Sequence, residues 1–165
     1  MPADKLMASD KSLRRWLDWL LAGGNAHVDF NAAVRGLLPK LRGTRAGGMP
    51  YSAWQLLEHM RIAQWDILDF CRNPKYKSML WPDNYWPKSE APGKGEWEKS
   101  VRQCRADQAA FRRLIANRRT DLHTRIPWGD GQTVLREALL IADHNAYHLG
   151  QIVLVRRALG AWKAE

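Results

Sequence analysis

Hydrophobic residues recur at helical spacing in four stretches of the chain, which are separated by segments rich in glycine, proline or polar residues. The first stretch begins at Lys11, and the adjacent residues Gly23 and Gly24 break it, since glycine is unfavourable inside a helix. The helical pattern resumes at His27 and ends between about Gly36 and Pro39. We therefore expect a first helix in two segments.

A second helix is bounded by start and stop signals. Ser52 followed by Gln55 forms a capping box at its beginning. The helix is expected to run from Ala53 to about Arg72, because the Asn-Pro pair that follows disfavours helical backbone. Its apolar face includes His59, where a lone histidine is an unexpected choice.

Two further helices complete the pattern. The third begins near Glu96 and continues to about Asn117. Thr133 is the expected N-cap of the fourth, which runs to Ala158 and stops at Gly160. Four main helices without the alternation typical of strands predict an all-α protein with the architecture of a four-helix bundle.

The helical pattern predicts a single domain over residues 11–162, which is long enough to bury a core unaided. We expect residues 1–10 to be flexible. The long loop between the second and third helices carries aromatic residues from Trp81 to Trp86, and long loops in compact domains are usually functional or disordered. The aromatic content favours an ordered lid that packs on the bundle, and a pocket wall would have the same composition.

The net positive charge of the chain is compatible with anionic partners but does not identify one. The composition is 45% hydrophobic and 26% charged, as in ordinary globular domains, and nine tryptophans spread along the chain are interpreted as packing anchors. The formal net charge of +9 is compatible with nucleic acids or anionic ligands. The arginines are dispersed and no nucleic-acid-binding motif is present, so nucleic-acid binding is not expected.

The two cysteines, Cys71 and Cys104, lack the spacing of a metal site or a redox motif. We interpret them as free thiols in the reducing cytosol. The N-terminus has no signal-peptide pattern, and no apolar run approaches the roughly 20 residues of a membrane span. We therefore expect a cytoplasmic protein that does not associate with membranes.

His144 and His148 lie on one face of the fourth helix because they are four residues apart. They could be a hydrogen-bonded core pair or two ligands of one metal ion. His59 favours the second interpretation if its helix is adjacent, because three imidazoles then converge inside the bundle. Three protein nitrogens and an open position are typical of a catalytic metal site, and imidazole suits zinc, nickel, iron or copper.

Glu137 lies two helical turns before His144 on the same face. It is the candidate catalytic residue, acting as a base, or it could hold the second nitrogen of a ligand. An ion pair at the surface or between helices is the alternative. Gln151 follows His148 by three residues and could line the pocket. His27 is a further candidate for the site, with a satisfied or exposed histidine as the alternative.

The stretches LLEHMRIAQW at residues 56–65 and DHNAYHLGQ at residues 143–151 contain the three histidines. They resemble the DinB-like (damage-inducible) superfamily, whose members are regarded as metalloenzymes, and the resemblance extends over most of the chain. It implies a four-helix bundle with a long crossover loop between the second and third helices. It also implies a divalent metal ion on three histidines, which map to His59, His144 and His148.

The resemblance leaves the native metal open among zinc, nickel, iron and manganese. Characterised relatives include transferases that depend on bacillithiol or mycothiol and a thiol-dependent maleylpyruvate isomerase, and many members form homodimers. A metal-dependent enzyme is therefore implied, with thiol-dependent S-transfer to a small-molecule electrophile as one activity and a low-molecular-weight thiol as its second cofactor. The alternatives are a metal-dependent hydrolase and a non-enzymatic protein, either associated with nucleic acids or serving as an interaction module.

Overall fold

The computed structural model describes the backbone of residues 3–162 and the side chains of residues 7–162, and this part of the chain contains helices and no β-strand. The helices are α1 (Ala3–Ala22), α2 (Phe30–Val34), α3 (Ala53–Arg72), α4 (Glu96–Ala116) and α5 (Val134–Ala158), with a short 3-10 helix at Pro39–Leu41. The predicted all-α class is confirmed. Over the described residues, no helix combines the length and the apolar character that a membrane crossing requires.

The four long helices form a bundle. α3 packs against α4 and α5, and α1 packs against the same two helices. α4 and α5 make little contact with each other, so they lie diagonally across the bundle. The four-helix bundle predicted from the hydrophobic pattern is therefore confirmed. Because α3 and α5 are neighbours, side chains on their facing sides can form a shared site.

Local hydrogen bonds delimit α3 and α5. The Ser52 hydroxyl accepts a bond from the Gln55 amide, and the Gln55 side chain accepts one from the Ser52 amide. At the other end of α3, Asn73 has extended backbone. The Thr133 hydroxyl accepts a bond from the amide of Arg136 at the start of α5. Both helices have the predicted bounds, because their caps are encoded by side chains next to the helix.

The prediction that the first helix starts at Lys11 is wrong, because α1 begins at Ala3. The part before Lys11 contains alanine, lysine, leucine and methionine, which are good helix formers even without a clear apolar stripe. Asp10 and Arg14 form an ion pair at i, i+4 spacing that supports the same helix. Residues 1 and 2 of the segment expected to be flexible lie outside the described residues.

The second segment of the first helix is shorter than predicted. Only Phe30–Val34 is α-helical, rather than the stretch from His27 to between about Gly36 and Pro39. The Asp29 carboxylate fixes the start by accepting a backbone amide at 2.7 Å. Gly36 follows the helix with a φ of +71°, a left-handed conformation that glycine adopts without strain. The helix is therefore a single short turn between two local signals.

The core consists of two clusters of buried hydrophobic side chains. The first contains Leu56 of α3 and Leu149 of α5, and the second contains Leu68 of α3 and Ile141 of α5. On both helices the candidate histidines fall between members of the two clusters. Apolar packing on either side therefore sets the spacing between α3 and α5 at the histidines.

The chain between α3 and α4, residues 73–95, contains no helix. Trp86 packs against the first cluster, whereas Trp81 is 66% exposed. Only part of the predicted aromatic lid is therefore packed on the bundle. The crossover that the resemblance implies for this segment stays a prediction.

Candidate metal centre

The three candidate histidines come together between α3 and α5. His59 projects from α3, and His144 and His148 project from α5 one turn apart. One ring nitrogen from each residue lies within 4.8 Å of the others, and the Nε2 atoms of His59 and His144 are 3.0 Å apart. His59 and His148 are buried, and His144 is half-buried. The convergence expected from the sequence is therefore present.

Hydrogen bonds fix the tautomers of two of these histidines. Nδ1 of His59 lies 2.7 Å from the carbonyl oxygen of Tyr85, and Nδ1 of His148 lies 2.6 Å from Oε1 of Gln151. Both partners are acceptors, so each Nδ1 carries a proton and donates it. The Nε2 atoms of these two rings therefore carry a lone pair and no proton, and Nε2 of His59 lies within hydrogen-bond distance of Nε2 of His144. This is the arrangement in which a histidine offers one nitrogen to a metal and uses the other for support.

Burial keeps the three imidazoles uncharged. It lowers the pKa of His59, although the hydrogen bond to Tyr85 raises this pKa in part. Burial also lowers the pKa of His144 to about 4, with contributions from the other two histidines, and that of His148 to about 4. All three are therefore neutral at pH 7, and neutral imidazole is the form that binds metal ions.

The residues fit a bound metal ion. Two nitrogens that each lie about 2.0–2.1 Å from a tetrahedral zinc ion are about 3.3 Å apart, close to the 3.0 Å between the Nε2 atoms of His59 and His144. A set of three neutral nitrogen donors suits zinc, nickel, iron or copper. Three protein ligands leave at least one coordination position open, as in catalytic sites.

Aromatic rings from the chain before α4 and from the chain just before α3 support His59. The indole of Trp86 stacks on the His59 imidazole with a centroid distance of 4.0 Å and an interplanar angle of 2°. Tyr51 stacks on the other side of Trp86 at 4.1 Å. Sequence reasoning identified Trp86 as part of an aromatic segment but missed its contact with the histidine, because the partner of a loop side chain has no signal in spacing.

A cleft with a volume of about 710 Å³ reaches the centre at His144. Its lining includes two buried carboxylates, Asp66 and Glu137, and two cations, Lys77 and Arg136. Its aromatic walls are formed by Phe70, Tyr76, Trp81, Tyr85 and Trp128. A small molecule in the cleft would therefore lie between aromatic rings and charged groups, next to the histidines.

Comparison with protein-family models identifies the superfamily. The model of the DinB superfamily matches residues 25–152, which are more than half of the chain and include all three histidines. The chain belongs to the DinB superfamily. The resemblance found in the sequence is confirmed. Comparison with curated proteins and with solved structures gave no match.

In this DinB protein, Glu137 is one of the most deeply buried polar residues, with 2% of its surface exposed. Its Oε1 accepts a bond from the guanidinium of Arg136 at 2.8 Å. Burial raises the pKa of Glu137, the Arg136 guanidinium opposes this effect, and the charge of Asp66 adds to it. The expected ion pair is therefore present, although its partner is the preceding residue rather than another helix.

Two expected roles around the histidines are not found. Glu137 does not hold the second nitrogen of His59 or His148, because Tyr85 and Gln151 occupy those positions. Gln151 does not line the cleft as predicted, since its side chain turns back one helical turn to His148. The supporting acceptor for a histidine is therefore a loop carbonyl in one case and a helical neighbour in the other.

His27 does not join the centre of this DinB protein. It is exposed, and its Nδ1 lies 2.9 Å from the carbonyl oxygen of Val28. The alternative of an exposed histidine is thus correct. Asp66, in contrast, lines the cleft and was missed by sequence reasoning. Its position seven residues after His59, on the same helix face, is a signal that could have found it.

Proposed function

We propose that this member of the DinB superfamily is a metal-dependent enzyme that binds one divalent ion on His59, His144 and His148. The proposal depends mainly on one observation: two of these rings are hydrogen-bonded through Nδ1, which leaves their Nε2 atoms unprotonated and able to bind a common ion. Metal-binding histidines almost always donate their other nitrogen in this way. The cleft that reaches the centre supports a catalytic ion over a purely structural one.

When bound, the ion would act as a Lewis acid that lowers the pKa of a water or thiol. The protein supplies the remaining parts of the site. Tyr85 and Gln151 orient two of the imidazoles, and Trp86 holds the plane of His59. The aromatic walls of the cleft position a substrate and limit the access of water to the reacting groups.

We assign proton transfer to Glu137. Its carboxylate lines the cleft, and burial raises its pKa above the ordinary value of 4.5. A carboxylate with a raised pKa can accept a proton from a nucleophile and return it to a leaving group. The Arg136 guanidinium at 2.8 Å holds the carboxylate in place while it does so.

The reaction that we propose is thiol-dependent S-transfer to a small electrophile. The thiol proton passes to an oxygen of Glu137, the sulfur forms a bond to the electrophilic carbon, and the leaving group departs with the proton. Lys77 and Arg136 at the cleft suit the anionic groups of a low-molecular-weight thiol. Cys71 and Cys104 are buried, and burial raises the pKa of both thiols, so the nucleophile must come from outside.

Hydrolysis is the second candidate reaction. Glu137 next to the cleft is as suited to accept a proton from water as from a thiol. A metal-dependent hydrolase would therefore use the same residues without a thiol cofactor. Turnover of an electrophile in the absence of any thiol distinguishes this reaction from S-transfer.

Metal analysis of the purified protein tests the proposal. Protein prepared with sufficient zinc, nickel, iron and manganese should carry about one divalent ion per chain, because three convergent imidazoles form one site. His59→Ala and His144→Ala should abolish this binding, and His27→Ala, at an exposed histidine outside the centre, should leave it unchanged. A substoichiometric metal content, or one that survives both substitutions, would contradict the proposal.

A scan of low-molecular-weight thiols against a panel of small electrophiles then tests the reaction class. S-transfer requires that the rate depends on both the thiol and the three histidines. We also propose a homodimer and a cytoplasmic location, in line with the superfamily resemblance and with the two free cysteines. Light scattering of the purified protein and fractionation of cells test these two points.

A further inference from the structure

Tyr85 connects two points of α3 that are two helical turns apart. Its carbonyl oxygen accepts the Nδ1 proton of His59 at 2.7 Å, and its hydroxyl donates to Oδ2 of Asp66 at 2.6 Å. Seven residues of α-helix span about 10.5 Å. One residue of the segment between α3 and α4 thus contacts both a candidate metal ligand and a buried carboxylate on the same helix.

Regular backbone structure does not hold the carbonyl of Tyr85 in place. The segment 73–95 contains no helix, and the amide of Tyr85 makes a single turn-type bond, to the carbonyl of Pro82 at 3.0 Å. The position of Tyr85 against α3 therefore depends on side chains. Those that reach α3 include its own hydroxyl on Asp66 and the ring of the next residue, Trp86, on His59, and the ring of Trp81 packs edge-on against Tyr85.

Asp66 is well suited to anchor this contact. It is 6% exposed, and its two oxygens accept bonds from Tyr76 at 3.0 Å and from Tyr85 at 2.6 Å. Burial raises the pKa of the Tyr76 hydroxyl to about 12 and raises that of Tyr85 as well, so both remain donors at neutral pH. Hydrogen bonds to a carboxylate are about twice as strong as those between neutral groups.

We propose that Asp66 is a positioning residue of the metal centre, which acts through Tyr85. The carboxylate holds the Tyr85 hydroxyl, and the Tyr85 carbonyl thereby stays at the distance that keeps the proton of His59 on Nδ1. The Nε2 lone pair of His59 then points to the centre. This inference rests on the proposed metal site, and it assigns to α3 both a ligand and the group that orients it.

Zinc affinity of matched variants tests the inference. Tyr85→Phe removes the hydroxyl but keeps the carbonyl, and we expect it to weaken zinc binding by about 10- to 100-fold, the effect typical of a lost supporting contact. Tyr76→Phe removes the other hydroxyl from the same carboxylate, but Tyr76 does not bond to a histidine. It should change the affinity by less than about threefold. Equal losses in the two variants would overturn the inference.

A double-mutant cycle tests whether Asp66 acts through Tyr85. Asp66→Leu should weaken zinc binding about as much as Tyr85→Phe, and the double variant should lose no more than the weaker-binding single variant, because both changes break one contact. Competition with a chelator measures each affinity. Losses that multiply in the double variant would show that Asp66 acts independently and would overturn the inference.

The tautomer of His59 provides a readout that a purely structural role would not change. In the metal-free protein, the ¹⁵N NMR signals of the imidazole should show a proton on Nδ1, and Tyr85→Phe should show a mixture of both tautomers. An unchanged tautomer in this variant would overturn the inference even if its thermal stability falls. If zinc binding to the unmodified protein does not depend on His59, the proposed function fails instead, which the His59→Ala variant reveals separately.

Discussion

Nδ1 of His148 lies 2.6 Å from Oε1 of Gln151, one helical turn further along α5. This bond does for His148 what the Tyr85 carbonyl does for His59, since it fixes the proton on Nδ1 and leaves Nε2 unprotonated. The two supports differ in origin. One is built into a helix, and the other is supplied by a segment without regular structure.

Removal of the Gln151 side chain should weaken metal binding. We expect Gln151→Ala to lower zinc affinity by about 10- to 100-fold, because the His148 ring loses the acceptor of its Nδ1 proton. Gln151→Glu should retain most of the affinity, since a carboxylate oxygen can accept the same proton. Chelator competition measures both, with Arg157→Ala on an exposed position of α5 as the control. Equal affinity of Gln151→Ala and the unmodified protein would refute the role of this bond.

Loss of the stacked indole should affect both stability and metal binding. Trp86→Leu removes the ring that lies parallel to His59, and aromatic pairs are worth about 0.5–1.5 kcal/mol beyond the area they bury. We expect a lower free energy of unfolding and weaker zinc binding. Trp86→Phe keeps a stacking ring and should recover most of both. Urea denaturation and chelator competition provide the measurements, and a Phe variant no better than the Leu variant would argue against stacking.

The difference in stability between Glu137→Gln and the unmodified protein should depend on pH. Burial raises the pKa of Glu137 above 4.5, so the folded state binds more protons than the unfolded state as the pH rises past that value. The stability of the unmodified protein therefore falls as the pH rises through the folded pKa, whereas glutamine does not titrate. The melting temperature of Glu137→Gln, relative to the unmodified protein, should increase from pH 4.5 to pH 7. A difference that is constant over this range would be inconsistent with the raised pKa.

The same substitution should abolish turnover, because glutamine cannot accept a proton. Greater stability together with lost activity is a common feature of groups that are kept charged in buried sites for function. Zinc affinity of Glu137→Gln should change little, since Glu137 makes no bond to a histidine. This affinity separates a defect in proton transfer from a defect in the metal centre.

The two cysteines should be inert in the folded protein. Cys71 and Cys104 are buried and free, and burial raises the pKa of both. A chromogenic disulfide reagent should therefore react with them slowly at pH 8 and rapidly in guanidinium chloride, because the thiolate is the reactive form. Fast reaction of either thiol in the native protein would mean that the interior opens readily at that position.

Much of the fold could be predicted because helix ends are encoded locally. Ser52 and Gln55 set the start of α3, and Thr133 sets the start of α5. The start of α1 was misplaced because a stretch without a clear apolar stripe was equated with flexibility, although its residues favour helix. The Asp29 cap was overlooked, which made the segment around α2 too long.

Only those parts of the site that lie on helix faces could be predicted, because helical spacing was the available signal. The pair His144 and His148 and the isolated His59 follow from positions on helix faces. The support of His59 comes from a main-chain carbonyl, and every residue has one, so the sequence does not mark it. Asp66 follows His59 by seven residues on α3, just as His144 follows Glu137 by seven residues on α5. The spacing that identified Glu137 would therefore have identified Asp66 if it had been applied to α3.

The stacking of Trp86 on His59 restricts rotation of the imidazole. The indole lies parallel to the imidazole at a centroid distance of 4.0 Å, and Tyr51 stacks on Trp86 in turn. The His59 ring therefore cannot turn about its Cβ–Cγ bond without displacing a ring that is itself packed. Nε2 of His59 keeps its direction before an ion arrives, so little rotational entropy is lost at this ligand when an ion binds.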